Sequence, residues 1–180
     1  MSSLEQTPVE PIFLRPVTSD GRTGQQFVAS LKKANYNVGD QATYCMTKSK
    51  DVNGNLAFVS TTGITYKPVV ILGEQFEDDD RITSNIRKLA GEKKYITPPA
   101  ELAPLLREEI SDEDIEKMGL WRLVVMHEPI ADSVGCPLLL GVGRYDRGRF
   151  LRAYDGRPTD RWDRVFGFVF LAPQENLVAV

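Results

Sequence analysis

The chain has 180 residues, 42% of them hydrophobic and 26% charged, with a formal net charge of -3 at pH 7. That length and make-up suit one folded domain with a real core, and they exclude wholesale disorder and a global basic field able to hold nucleic acid. No apolar run approaches the roughly 20 residues of a membrane span, and the first residues lack the basic and apolar regions of a secretory signal, so a cytoplasmic protein is expected.

Residues 1–20 read as an irregular N-terminal arm, because Pro8, Pro11 and Pro16 disfavour a helix. Ile12, Phe13 and Leu14 offer at most one short edge strand. Residues 21–180 read as a single domain, with a two-lobe split through 73–119 as the other possibility. Thr23 and Gln26 have the spacing of a capping box. Phe27, Val28, Leu31 and Ala34 follow with helical period, so a helix is expected, ended by Asn35, Asn37 and Gly39. Residues 42–47 alternate and read as a strand. Asn53-Gly54 marks a turn, and residues 56–61 read as the returning strand of a hairpin. After Gly63, residues 66–72 predict a further strand.

Two helical stretches come next. Asp79 or Asp80 is expected to cap a helix carrying Ile82, Ile86 and Leu89 and stopped by Gly91. Pro98-Pro99 leads into a stripe of Leu102, Leu105, Leu106 and Ile110, with Pro104 fitting the first turn. Ser111 and Asp114 form a second capping box, opening a short helix that Gly119 closes. The last third returns to strands, over 120–126, 138–142, 149–154 and 165–171. The last of these is apolar on both faces and is therefore expected to be central. The tail QENLVAV is expected to be loosely held. The order lacks the regular β-α alternation of a doubly wound sheet. It predicts an α+β fold, with a mainly antiparallel mixed sheet, about three to four helices and a strand-rich C-terminal third.

Charge is unevenly placed. Residues 74–80 hold five acids and no base, and residues 101–116 hold seven acids against Arg107. Consecutive carboxylates point in different directions, so these read as helix caps and solvated faces, not as a metal or glycosidase site. Asp51, Asn53 and Asn55 begin like an EF-hand loop, but the sixth-place glycine and the twelfth-place acid are missing. Cys45 and Cys136 lack metal-ligand spacing and read as free thiols. A lone histidine excludes a multi-histidine zinc site. No cofactor is implied.

That histidine, His127, stands at a strand end in the run MHEPIADS, with Asp132 and Cys136 close behind. An imidazole that titrates near neutral pH and a thiol it activates are the parts of a small hydrolase or transferase. The plainer alternative is a histidine bonded to backbone beside a buried thiol. Gly141-Val142-Gly143 lacks the full pattern of a phosphate cradle and suits a strand end or bulge.

Residues 144–164 hold seven arginines and four aspartates, interleaved with Tyr145, Phe150, Tyr154 and Trp162. Arginine and aromatic residues anchor interfaces. The interspersed aspartates would repel phosphates, which argues against nucleic acid as a ligand, and they offer internal ion pairs as an alternative use of the arginines. The leading expectation is an accessory or protein-interaction module. It would bind a protein partner or a small anionic ligand through Arg144, Tyr145, Arg152, Tyr154, Arg157, Arg161 and Trp162. The second is an enzyme using His127 with Cys136 or Asp132.

Overall fold

The structure is a computed structural model that describes residues 9–145 and 148–173. The first eight residues of the expected arm, Asp146, Arg147 and the QENLVAV tail lie outside the described residues. The fold is α+β, with a mixed, mostly antiparallel sheet and five helices among the described residues. None of these helices is long and apolar enough to cross a membrane.

The N-terminal region contributes two short strands, β1 (Ile12–Phe13) and β2 (Val17–Asp20). α1 (Gly24–Lys33) starts at the expected Thr23–Gln26 capping box and buries Phe27, Val28 and Leu31. Asn35, with φ 63°, turns the chain at its end. A two-residue strand, β3 (Asn37–Val38), follows.

Residues 40–47 depart from expectation. They form α2 (Asp40–Thr47), not a strand. The alternation of Tyr44 and Met46 hid a second spacing: Ala42, Cys45 and Met46 are buried together, three and one apart, which is helical. Thr43 and Thr47 are tolerated because their hydroxyls donate to the carbonyls four residues earlier, at 3.0 and 2.6 Å. This is also why the structure has five helices instead of three or four.

The hairpin expected around Asn53-Gly54 shrinks accordingly. Its turn exists: the Asp51 carboxylate accepts from the backbone N–H of Asn53 and Asn55. Its returning strand is reduced to a single bridge from Leu56 to Lys50. The strand expected over 66–72 is broken at Lys67 into β4 (Thr62–Tyr66) and β5 (Pro68–Leu72). β4 pairs with β2 in a two-stranded ribbon, while β5 enters the main sheet. A buried carboxylate ties this ribbon to the helical layer. Glu101 accepts from the Thr61 N–H at 2.9 Å and the Tyr66 hydroxyl at 2.6 Å. Burial, and then the Glu101 bond, push the Tyr66 hydroxyl up to about 12.

α3 (Thr83–Glu92) starts later than Asp79 or Asp80, at an Ile82 cap with no side-chain bond, and runs through Gly91. α4 (Leu102–Glu109) accepts Pro104 in its first turn, as expected, because the missing N–H is unpaired there anyway. α5 (Asp112–Lys117) begins at the Ser111–Asp114 capping box, and Gly119, at φ 73°, turns the chain after it. The C-terminal region supplies β6 (Arg122–Val125), β7 (Ile130–Ala131), β8 (Pro137–Tyr145), β9 (Gly148–Asp155) and β10 (Phe166–Leu171).

The main sheet runs β1-β5-β10-β6-β8-β9-β3, with β7 paired to β8. β10 is central, as its two apolar faces require: it pairs antiparallel with β5 and parallel with β6. α1, α2, α4 and α5 pack on one face, over Val70, Leu123, Val125, Leu140, Val142, Leu151 and Val169. On the other face, Ile86 and Ala90 of α3 join Val69, Ile71, Val124, Met126, Phe168, Phe170 and Trp162. Among the described residues α3 is the one helix packed on this second face, and that asymmetry positions the candidate site.

Candidate functional site

Strand register assigns each side chain of β8 and β9 to a face. Arg122 of β6 lies opposite Gly143 of β8, which lies opposite Phe150 of β9. Two residues along, Val124, Gly141 and Arg152 form the next row, and Leu139 faces Tyr154 beyond it. All of these occupy the second face, since opposed residues share a face and so do residues two apart. Phe166 of β10 stands opposite Arg122 and joins them.

The two glycines are the floor of this surface. A Cβ at Gly141 would lie 2.7 Å from the Tyr154 ring, and one at Gly143 would lie 2.8 Å from the Phe150 ring and 2.9 Å from Arg122 Cγ. Glycine at both positions lets the two rings and the arginine stem recline on the neighbouring strand. The Arg122 guanidinium then sits among three rings, 5.5 Å from the centroids of Phe150 and Tyr154 and 5.1 Å from that of Phe166. Arg152 lies over Phe150 at 4.5 Å and within 5.9 Å of the Tyr145 ring. These are cation–π distances. Neither Arg122 nor Arg152 enters an ion pair among the described residues.

Exposure is graded across the surface. Tyr145 is 54% exposed, Arg122, Arg152, Tyr154 and Phe166 are half-buried, and Phe150 is buried. The Tyr154 hydroxyl is enclosed and meets no hydrogen-bond partner among the described residues, with the Arg122 guanidinium nearby. Burial pushes the Tyr154 hydroxyl above its ordinary pKa, against the pull of Arg122 and Arg152.

Not every residue expected in the site belongs to it. Arg144 lies on the helix-covered face, where its Nε donates to the Leu120 carbonyl at 3.1 Å, its guanidinium covers Trp121 at 4.0 Å, and Glu116 pairs with it at 3.4 Å. Arg157 stands at the far end of β8, with Nη2 3.7 Å from Cys136 Sγ. Arg161 pairs with Asp79 at 3.0 Å, both exposed. Trp162 is only 8% exposed. Its indole N–H donates to Thr83 at 2.9 Å, and its ring packs against Tyr154, Phe166 and Phe168. It is a wall of the site rather than a free anchor. Beside it lies a hollow of about 360 Å³ lined by Tyr154, Asp155, Asp160, Arg161, Trp162, Asp163 and Phe166.

The loop carrying Trp162 is held by a buried arginine. Arg81 donates from Nε to the Gly73 carbonyl at 2.7 Å and from Nη2 to the Phe76 carbonyl at 2.7 Å, and its own carbonyl accepts from the Trp162 N–H at 3.0 Å.

His127, Asp132 and Cys136 have different surroundings. His127 is 1% exposed. Its Nε2 accepts from the Leu140 N–H at 2.9 Å, so the proton is on Nδ1, which donates to the Glu128 carbonyl at 2.6 Å. Both ring nitrogens are therefore bound to backbone, and burial pushes the imidazole down to about 4. As placed, the ring presents neither a lone pair nor a proton to a substrate. Asp132 Oδ1 accepts from the N–H of Val134 and Cys136, closing the turn between β7 and β8. An edge of His127 also lines a second hollow, of about 490 Å³, with Val59, Pro98, Pro99 and Ile130. Among the described residues no three His, Cys, Asp or Glu side chains are grouped to hold a metal ion.

Arg122 and Phe166 are the residues that sequence reasoning missed. One signal was present: Arg122 is the sole charge on the face it shares with Val124 and Met126 in an otherwise apolar strand. No family model, curated protein or solved structure matches the chain.

Proposed function

We propose that this protein is an accessory or interaction module that binds a partner protein through the open second face of β8 and β9. One observation carries this reading. Arg122 and Arg152 both lie over the Phe150 ring, without a carboxylate partner among the described residues, next to a half-exposed Tyr145. Guanidinium groups stacked on rings are oriented at little entropic cost and keep their N–H edges available, the arrangement found at interface anchors. The state of His127 favours recognition over covalent chemistry, because its nitrogens are already committed to backbone.

The test is capture from native extract at physiological salt, comparing wild type with the Tyr145→Ala/Arg152→Ala double variant, each first checked for folding by circular dichroism. A stoichiometric partner retained by wild type and lost from the folded double variant supports the reading. A partner retained equally by both removes this face from consideration.

A further inference from the structure

We infer that the occupant of this face is a protein segment of mixed charge, which sets a carboxylate over Arg122 and Arg152 and a basic side chain in the adjoining hollow. This rests on the reading of the face as a protein-binding surface and adds the chemistry of what binds there.

The carboxylate follows from the arginines. Two guanidinium groups lie 4.5 and 5.5 Å from the centroid of one ring, and no carboxylate among the described residues reaches either. An anion lying along their free edges supplies the counter-charge that neither has among the described residues. Ring contacts use the flat faces of guanidinium and leave its N–H edges for the bidentate bonding that a carboxylate accepts.

The basic side chain follows from the hollow. Tyr154 and Phe166 belong both to the arginine cluster and to the hollow, so the two subsites share a wall. On the hollow side that wall continues with Trp162 and with Asp155, Asp160 and Asp163. None of these three carboxylates is in an ion pair among the described residues; Asp160 and Asp163 each accept one backbone N–H instead. Among the described residues, Arg161 on the rim is engaged with Asp79, and Arg157, which feels the charges of Asp160 and Asp155, directs its Nη2 to the Cys136 sulfur at 3.7 Å and forms no ion pair with them. Rings combined with carboxylates attract a cation. A nucleic-acid backbone would meet attraction at the first subsite and repulsion at the second. A peptide that changes sign along its length satisfies both, and opposed charges of this kind select partners by repelling the wrong ones.

The experiment is a fluorescence-polarisation titration of the full chain with short synthetic peptides. One set carries an acidic pair followed at varied spacing by Arg or Lys. Matched controls replace the acids by amides, or the basic residue by Gln, and a single-stranded oligonucleotide is titrated in parallel. The expected result is that at one spacing the mixed-charge peptide binds about five- to tenfold tighter than either control and tighter than the oligonucleotide. Arg152→Gln should abolish the preference for acids, and Asp160→Asn/Asp163→Asn the preference for the basic residue. Arg152→Glu should invert the first preference, an outcome that loss of folding cannot imitate. Equal binding of amide and acid peptides, or tighter binding of the oligonucleotide, overturns the inference. If no peptide binds while the captured partner is still lost on Tyr145→Ala/Arg152→Ala, the mixed-charge inference fails and the binding surface stands. If that double variant keeps the partner, the surface itself fails.

Discussion

Strands β8 and β9 carry arginines on both faces, and the two faces use the same group in opposite ways. On the helix-covered face Arg107 of α4 is fully buried. It donates from Nη1 to the Gly143 carbonyl at 2.9 Å, and from Nη2 to the Ile110 carbonyl at 2.8 Å and to Asp112 at 3.0 Å. On the open face Arg122 and Arg152 are held by rings alone among the described residues. A guanidinium removed from water needs protein acceptors for its donors; at Arg107 both terminal nitrogens have them, while Nε has none among the described residues. One lying on a ring at the surface keeps them. The first kind of arginine maintains the fold, and the second leaves valence for a partner.

The contrast is broken most directly at Arg107. Replacing it with Met leaves the Gly143 and Ile110 carbonyls without their donor, so Arg107→Met is expected to cost about 3–5 kcal/mol. Urea unfolding measures this, and a loss below about 1 kcal/mol would contradict the clamp role.

His127 tests the buried interior by pH. Its pKa is about 4 in the fold, against about 6.5 when unfolded. Protonation therefore favours the unfolded chain. The stabilisation is fully present above about pH 6.5 and is lost as pH falls toward 4, by roughly 3 kcal/mol in all. The wild-type stability curve should fall more steeply between pH 6.5 and 4 than that of His127→Gln, which has no proton to take up. Parallel curves in urea unfolding at several pH values would reject the buried neutral imidazole.

Gly143→Ala sharpens the comparison on the open face. Its Cβ would meet the Phe150 ring, Arg122 Cγ and the Trp121 carbonyl oxygen within 2.9 Å. The expected cost is about 1–3 kcal/mol, with weaker partner binding as the rings are displaced. Unchanged unfolding and binding would mean that the glycine floor does not organise the cluster. The smallest effect belongs to Arg152→Gln, which should alter stability by less than about 0.5 kcal/mol while weakening binding. A larger loss in thermal unfolding would class Arg152 with Arg107 as a structural arginine.

Much of the fold was legible in local chemistry. The Thr23–Gln26 and Ser111–Asp114 boxes, the fit of Pro104 in a first turn and the two-faced apolar run of β10 each follow from interactions within a few residues. α2 was misread because Tyr44 and Met46 alternate while Ala42, Cys45 and Met46 also have helical spacing; burial against α1 and β9 selects the helix. The site was legible only in part. Tyr145, Arg152 and Tyr154 come from one stretch of chain; Arg152 and Tyr154 share a face by alternation along β9, and Tyr145 joins them only through the register of β8 with β9. Arg144 comes from the same stretch but lies on the opposite face, a parity that only the register between β8 and β9 reveals.

The sequence by itself determined the starts of α1 and α5, the central strand, the uneven charge and the concentration of arginine and aromatic side chains near the C-terminus, because each depends on neighbours along the chain. Only the tertiary structure decided which arginines are spent and which remain available. That outcome depends on which carbonyls and rings are carried to each guanidinium by strands far apart in sequence: Gly143 for Arg107, and Phe150, Tyr154 and Phe166 for Arg122. Cross-strand register brings those partners within reach, and no local pattern encodes it.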